Sequence, residues 1–114
     1  MAKFDKIAVL AKMGETGIVP VFYHKDAETA KKVVKACYDG GVRAFEFTNR
    51  GDFAHEVFEE VVKFAAKECP DLALGVGSVV DPATAALYSQ LGACFVVGPL
   101  FNPEISKICN RRLI

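Results

Sequence analysis

The sequence predicts an α/β fold in which four strand–helix units follow one N-terminal helix. Strand-like apolar runs alternate with helix-like runs at steps of roughly 25 residues, which is the spacing of βα units. The strand-like runs are apolar throughout rather than alternating, which is typical of parallel strands covered by helices. No linker, low-complexity segment or charge block interrupts the alternation. A chain of 114 residues therefore forms one small domain and not two.

The charge of the chain is balanced, with 14 Lys and Arg against 14 Asp and Glu. A zero net charge argues against binding to a nucleic-acid backbone, which needs an excess of basic residues. No apolar run approaches the roughly 20 residues that cross a bilayer. The charged N-terminal residues also lack the apolar core of a secretory signal. We therefore expect a cytoplasmic protein with neither a nucleic-acid nor a membrane partner.

The first unit follows an amphipathic helix predicted at about residues 4–13. Residues 17–24 are apolar and β-branched, and they predict the first strand. Pro20 conflicts with that strand, because proline cannot donate a ladder hydrogen bond. Asp26 then begins a helix whose apolar residues recur at helical spacing, and the glycine pair at 40–41 ends it.

The second and third units follow the same pattern. Residues 42–48 predict the second strand, and the helix that begins after Asp52 ends at Pro70. Residues 72–80 predict the third strand. A helix then begins at the pair Asp81-Pro82, which combines a capping side chain with proline at the first helical position.

The fourth unit completes the alternation. Residues 93–97 predict a fully apolar strand, and the pair Asn102-Pro103 begins the last helix in the same way as the previous one. Four βα units are half of a (βα)8, or TIM, barrel, which takes about 200 residues or more. A four-stranded parallel sheet alone would leave apolar edges unpaired. We therefore interpret residues 1–114 as (βα)4, the N-terminal half of a single barrel, with no separate second domain.

The four cysteines do not indicate a metal site. They form no C-x-x-C pair, and neither histidine lies near one of them at ligand spacing. Each lies within or beside an apolar stretch, so we expect reduced structural thiols. These residues are Cys37, Cys69, Cys94 and Cys109.

The second strand carries the most informative polar residues. Glu46, Thr48 and Arg50 occupy alternate positions, which place three polar side chains on one face, while Phe45 and Phe47 face the helices. Sites in parallel α/β folds lie at the carboxyl ends of the strands. One interpretation is an internal salt bridge. The other is a general acid/base, Glu46, beside Arg50 as a clamp for an anion, with burial raising the pKa of Glu46 towards neutrality.

The other strand ends add weaker candidates. Gly75 and Gly77 precede Ser78, so the backbone there could approach a ligand and the hydroxyl could donate to a carboxylate; close strand–helix packing explains the glycines equally well. Pro99 follows the fourth strand, either as a rigid wall beside the site or as a plain strand-to-loop break. We expect His24 to be structural rather than a catalytic base, since it has no evident partner.

These motifs together resemble the 2-keto-3-deoxy-6-phosphogluconate (KDPG) / 4-hydroxy-2-oxoglutarate (KHG) aldolase family. The resemblance runs nearly end to end and includes Pro20. It is carried by the ordered segments G-I-V-P-V, G-G-V-R-A-F-E-F-T-N-R, G-V-G-S-V-V-D-P and G-A-C-F-V-V-G-P. It implies a (βα)8 barrel of about twice this length, commonly a homotrimer, of which the chain covers the first half.

The resemblance also implies a reaction. Members are class I aldolases of the Entner–Doudoroff pathway and related carbohydrate metabolism. They cleave a 2-keto-4-hydroxy acid, such as KDPG or KHG, to pyruvate and glyceraldehyde 3-phosphate or glyoxylate. A lysine on the sixth strand forms a Schiff base with the substrate, and no metal or other cofactor is needed.

By resemblance, Glu46 takes the position of the general acid/base and Arg50 that of the residue that holds the pyruvate carboxylate. Ser78 stands where the family usually has Thr, and Pro99 borders the substrate. Asn49 replaces a residue that is usually apolar in the family, but strand alternation points it away from the site.

The Schiff-base lysine is not expected within these residues. Nine lysines are predicted to lie on helices, and only Lys25 lies at the carboxyl end of a strand. We therefore expect residues 1–114 to be catalytically inert alone. One alternative is a non-catalytic half-barrel that self-associates to cover its sheet edges. Another is a barrel isomerase for phosphorylated sugars, which would need a phosphate loop that this half lacks.

Overall fold

The computed structural model describes residues 2–114, which form five helices and a parallel sheet. The helices are α1 (Lys6–Thr16), α2 (Ala27–Asp39), α3 (Ala54–Glu68), α4 (Pro82–Leu91) and α5 (Pro103–Arg111). The strands are β1 (Val21–Phe22), β2 (Ala44–Thr48) and β3 (Ala73–Gly77), hydrogen-bonded in the order β1-β2-β3. Both pairings are parallel, and a helix joins each strand to the next. This confirms the predicted partial α/β barrel.

The first strand is much shorter than the predicted residues 17–24. Gly17 ends α1 instead, since it adopts φ 67° and donates its N–H to the Met13 carbonyl at 2.9 Å. Pro20 lies just before β1 and needs no N–H, because only its carbonyl is used, accepting from the Glu46 N–H at 2.9 Å. After β1 the chain turns, and the Nδ1 atom of His24 accepts from the Asp26 N–H at 3.0 Å.

The N-terminal helix is also displaced from the predicted residues 4–13. Asp5 caps it by accepting from the Ala8 N–H, so the helix begins at Lys6. Lys3, which we expected on this helix, lies before it. Val9 of α1 packs with Ala73 at the start of β3, which places α1 at the amino ends of the strands and away from their carboxyl ends.

The predicted fourth strand, residues 93–97, is present only as a single bridge between Val76 and Val96. The Val97 N–H donates to the Val76 carbonyl at 2.8 Å, and the Val76 N–H donates to the Phe95 carbonyl at 3.0 Å, so the segment runs parallel to β3. One more hydrogen bond extends this contact, from the Cys94 N–H to the Leu74 carbonyl at 2.8 Å. It ends there, because the Ala93 N–H bonds to the Tyr88 carbonyl at the end of α4. The fourth unit is therefore in the expected place with a shortened strand.

The main core lies between the sheet and helices α2 to α4. Phe45 and Phe47 of β2 are fully buried there, as predicted, and the Phe47 ring lies 5.9 Å from that of Phe58 on α3. The opposite face of β2 and β3 carries Glu46 and small or polar residues, which leaves room for a site. The four cysteines are free thiols, as expected, and Cys37 alone of the four is not fully buried.

Candidate active site

Glu46 lies at the centre of β2, on the face of the sheet opposite helices α2 to α4. Its side chain is half-buried and leans across β3, where its Oε1 atom occupies the space that a Cβ atom on Gly77 would need. Burial raises the pKa of Glu46, while the nearby positive charge of Arg50 acts in the opposite direction. The direction is the one expected for a carboxyl group that exchanges protons near neutral pH.

Arg50 lies two residues beyond β2 and is exposed. Its N–H donates to the Thr48 carbonyl at 3.0 Å, so the chain turns immediately after the strand. Within residues 2–114, no acidic side chain lies within ion-pair distance of Arg50, although its charge affects Glu46. The internal Glu46–Arg50 salt bridge that the sequence left open is thus not formed, and the guanidinium remains available to an anion.

Ser78 follows directly after Gly77, so its backbone lies beside the Glu46 carboxylate. It adopts φ 61°, a left-handed conformation that turns the chain sharply out of β3. Its side chain is half-buried. The carboxyl end of β3 therefore lies beside that of β2.

Pro99 lies apart from these residues in the loop that follows residues 93–97. It is exposed and lines a pocket of about 300 Å³ with Val80, Leu100 and Phe101, among others. Neither Glu46 nor Arg50 lines that pocket. The structure therefore brings Glu46, Arg50 and Ser78 to one edge of the sheet and places Pro99 in a neighbouring, mainly apolar loop cluster.

The two glycines of β3 make room for side chains from neighbouring strands rather than for a helix. A Cβ atom on Gly75 would lie 2.5 Å from the ring of Phe95, and one on Gly77 would overlap Glu46. The contacts with Phe95 and Glu46 therefore account for both glycines, and strand–helix packing does not. Phe95 was not among the predicted site residues, because nothing in its apolar run distinguishes it.

Thr48 shares the face of Glu46 and is 1% exposed. Its Oγ1 atom has no hydrogen-bond partner within residues 2–114. A buried hydroxyl without a partner costs free energy, so Thr48 is an unfavourable choice for packing alone.

Asn49 has a role that the sequence did not reveal. Its side chain does point away from Glu46, as alternation predicts, but its Oδ1 accepts a hydrogen bond from the Tyr88 hydroxyl at 2.8 Å. Tyr88 is 1% exposed and lies on α4, 39 residues further along the chain. One feature of the sequence indicated this role: Asn49 is polar at a position that is usually apolar in the family that the chain resembles.

The remaining candidates are peripheral. His24 accepts a backbone hydrogen bond and stacks on Phe22 at 6.4 Å, which suits the structural role expected for it. Lys25 is exposed in the loop after β1. Residues 2–114 hold no cluster of three or more potential metal-ligating side chains. Every helix in this range is too short or too polar to span a bilayer.

Comparison with known proteins gives a consistent result. Residues 9–114 match the family model described as KDPG and KHG aldolase. The chain is 35% identical over 97 residues to the KHG/KDPG aldolase of Escherichia coli (strain K12), covering 85% of this chain and 44% of that protein. It is 31% identical over 103 residues to a 2-dehydro-3-deoxy-phosphogluconate aldolase of Treponema pallidum (strain Nichols), covering 90% and 47%.

A solved structure agrees with these relatives. The KDPG aldolase of Legionella pneumophila, with pyruvate captured at low pH as a covalent carbinolamine intermediate, superposes with a TM-score of 0.69. Its sequence is 27% identical, and the match covers 79% of this chain and 42% of that one. The chain thus spans about half the length of the curated relatives that it matches.

Proposed function

The chain belongs to the KDPG and KHG aldolase family, and we propose that it supplies the N-terminal half of a class I aldolase barrel. The reaction is the reversible cleavage of a 2-keto-4-hydroxy acid, such as KDPG or KHG, to pyruvate and glyceraldehyde 3-phosphate or glyoxylate. The observation that carries the proposal is the half-buried Glu46 carboxylate, held over Gly77 with the Arg50 charge nearby. The pyruvate-bound relative from Legionella pneumophila supports the same chemistry.

Each residue of the site has a part in this reaction. Arg50 is exposed and not ion-paired within residues 2–114, so its guanidinium is free to bind the substrate carboxylate. Glu46 moves protons to and from the keto oxygen and the hydroxyl of the cleaved bond, and its raised pKa suits both directions. The Ser78 hydroxyl donates a hydrogen bond to the substrate carboxylate, and Pro99 borders the part of the substrate that leaves as the aldehyde.

The amine that this chemistry needs comes from outside these residues. A lysine attacks the keto carbon and water leaves, and the protonated imine accepts the electron pair when the carbon–carbon bond breaks. Several lysines on the helices form ion pairs on the surface, for example Lys31 with Glu28 and Glu60, and Lys35 with Asp39. Lys25 is exposed in a loop. We therefore propose that residues 1–114 alone are inert and that the lysine lies on a later strand.

Pyruvate trapping with borohydride tests both parts of this proposal. Intact mass after incubation should show a reduced pyruvate adduct on a longer chain that contains the later strands, and none on the 12.4 kDa chain. An adduct on the 12.4 kDa chain would contradict inertness, and Lys25→Ala would then identify the amine. A longer chain without an adduct would contradict the aldolase itself. Arg50→Ala in the longer chain should weaken pyruvate binding about tenfold or more, as loss of a charge-assisted pair does.

A second candidate is a half-barrel that self-associates to cover its sheet edges. Val21 on the edge strand β1 is 53% exposed, and Val97 on the opposite edge is 38% exposed, which favours a covering partner. Sedimentation of the 12.4 kDa chain tests this. A stable monomer would contradict self-association, whereas a dimer that Val21→Lys dissociates would support it. For the full barrel we propose the homotrimer and the cytoplasmic location that the family resemblance implies.

A further inference from the structure

The loop that carries Arg50 is held by groups on both sides of it. On one side, the Asn49 N–H donates to the Gly77 carbonyl at 2.9 Å, and the Asn49 Oδ1 accepts from the Tyr88 hydroxyl at 2.8 Å. The backbone and the side chain of Asn49 are therefore both fixed, the first by β3 and the second by α4.

On the other side, Tyr23, which directly follows β1, lies against Gly51. Its hydroxyl occupies the space that a Cβ atom at position 51 would need, so only glycine permits this contact. The Tyr23 ring also packs 5.7 Å from that of Phe47, which anchors it to the core. Arg50 thus lies between two residues that aromatic side chains from different elements hold in place.

We propose that Tyr88, through Asn49, and Tyr23, through Gly51, fix this loop so that the Arg50 guanidinium stays directed at the space beside Glu46. Asn49 and Tyr88 are then positioning residues for the anion clamp. The identity of the anion, a 2-keto carboxylate, rests on the proposed function. The inference that the loop positions Arg50 beside Glu46 does not depend on the identity of the anion.

The physical reason is the flexibility of arginine. A free arginine side chain has many rotamers, and a binding site that must order one loses affinity. Fixing the backbone on both sides removes the loop's share of this entropy cost before the ligand arrives. Stabilising the fold alone would not require this arrangement. A buried phenol hydroxyl needs only a hydrogen-bond acceptor, and that acceptor need not be the residue next to Arg50.

The test measures the Glu46 titration in the 12.4 kDa chain by NMR of ¹³C-labelled glutamate carboxyl groups, assigned with Glu46→Gln. Arg50→Ala shows how far the Glu46 pKa rises when the guanidinium is lost. We expect Tyr88→Phe, which keeps the ring in the core, to move the Glu46 pKa in the same direction. We expect Asn49→Leu to do so as well.

The double variant Asn49→Leu/Tyr88→Phe separates the positioning of Arg50 from the stabilisation of the fold. It removes donor and acceptor together, so it should recover the stability lost in Asn49→Leu, in which a buried hydroxyl has no partner. Its Glu46 titration should nevertheless stay shifted. If the Glu46 pKa of Tyr88→Phe and of the double variant equals that of the wild type, the positioning role is wrong and the pair only stabilises the fold.

Tyr38→Phe is the matched control, since it removes the hydroxyl that lies 3.4 Å from Asp71 on another part of the surface. It should leave the Glu46 titration unchanged. Pyruvate affinity, measured by NMR on the same proteins, tests the functional part. We expect it to fall about tenfold in Tyr88→Phe, as misplacement of a binding group does. A wild type that does not bind pyruvate would contradict the proposed clamp for that anion, while the titration still decides the loop-positioning inference.

Discussion

The Glu46 carboxylate occupies the volume that a side chain on Gly77 would fill. The two residues are not opposite each other in the sheet, because the register pairs Glu46 with Gly75 and Thr48 with Gly77. The carboxylate therefore leans from the middle of β2 towards the carboxyl end of β3. This is the edge from which a ligand would approach, so the missing Cβ atom at position 77 determines where the acid/base group lies.

Gly77→Ala should displace the Glu46 carboxylate rather than disrupt the sheet, because the overlapping atom is the end of a flexible side chain. We expect the displaced carboxylate to become more solvated and its pKa to fall towards the usual range of glutamate. NMR titration of Glu46 measures this. Gly75→Ala is the control: its Cβ would lie 2.5 Å from the rigid Phe95 ring, so it should cost about 1–3 kcal/mol of stability. An unchanged Glu46 pKa in Gly77→Ala would show that the contact has no electrostatic role.

Glu46→Gln should stabilise the protein at neutral pH. Burial raises the pKa of Glu46 in the folded state, so its contribution to stability is fully present below the unfolded pKa and is lost as the pH rises through the folded pKa. Glutamine carries no charge and avoids this loss. Urea unfolding should therefore show a more stable variant at neutral pH and no difference at about pH 3.5, below the ordinary glutamate pKa.

Glu59→Gln should change the stability in the opposite direction at neutral pH, and it serves as the control. The neighbouring Lys63 lowers the pKa of Glu59, so its stabilisation is present above the unfolded pKa and is lost as the pH falls through the folded pKa. Its removal should destabilise slightly at neutral pH. A Glu46→Gln variant that behaved like Glu59→Gln would contradict the burial of Glu46.

Thr48→Val should raise the free energy of unfolding by about 1 kcal/mol, because it replaces a buried hydroxyl without a partner by a methyl group of similar shape. Chemical denaturation measures this. Thr84→Val is the matched control, since its hydroxyl bonds to Asp81 at 2.8 Å at the start of α4, and it should be destabilising. Destabilisation in both variants would mean that the Thr48 hydroxyl has a partner in solution.

Tyr88 should ionise at a higher pH than an ordinary tyrosine does. Burial raises its pKa to about 12, with a contribution from Tyr23, and the unfolded phenol titrates near 10. Stability from this group is therefore present below about pH 10 and is lost as the pH rises towards about 12. Tyrosinate absorbance of the folded protein should show a late phase that Tyr88→Phe removes. A single phase at the ordinary pKa would show that the hydroxyl is solvated.

Much of the fold followed from local patterns. The helices that begin at Ala27, Pro82 and Pro103 were predicted closely because each has a capping side chain immediately before it, on Asp26, Asp81 and Asn102. The burial of Phe45 and Phe47 followed from alternation. The strand lengths could not be predicted from local patterns, because a strand forms only where a neighbouring strand accepts its hydrogen bonds. The first and fourth strands are therefore shorter than their apolar runs.

The sequence by itself determined the order of the elements, the face that carries Glu46 and the family resemblance, since periodicity and motif order are properties of neighbouring residues. The tertiary structure alone decided which side chains fill the glycine positions and that Tyr88 bonds to Asn49. It also showed that Arg50 forms no salt bridge with Glu46 within residues 2–114. These relations join residues that lie on different elements, and their energies depend on distance in space, which sequence spacing does not record.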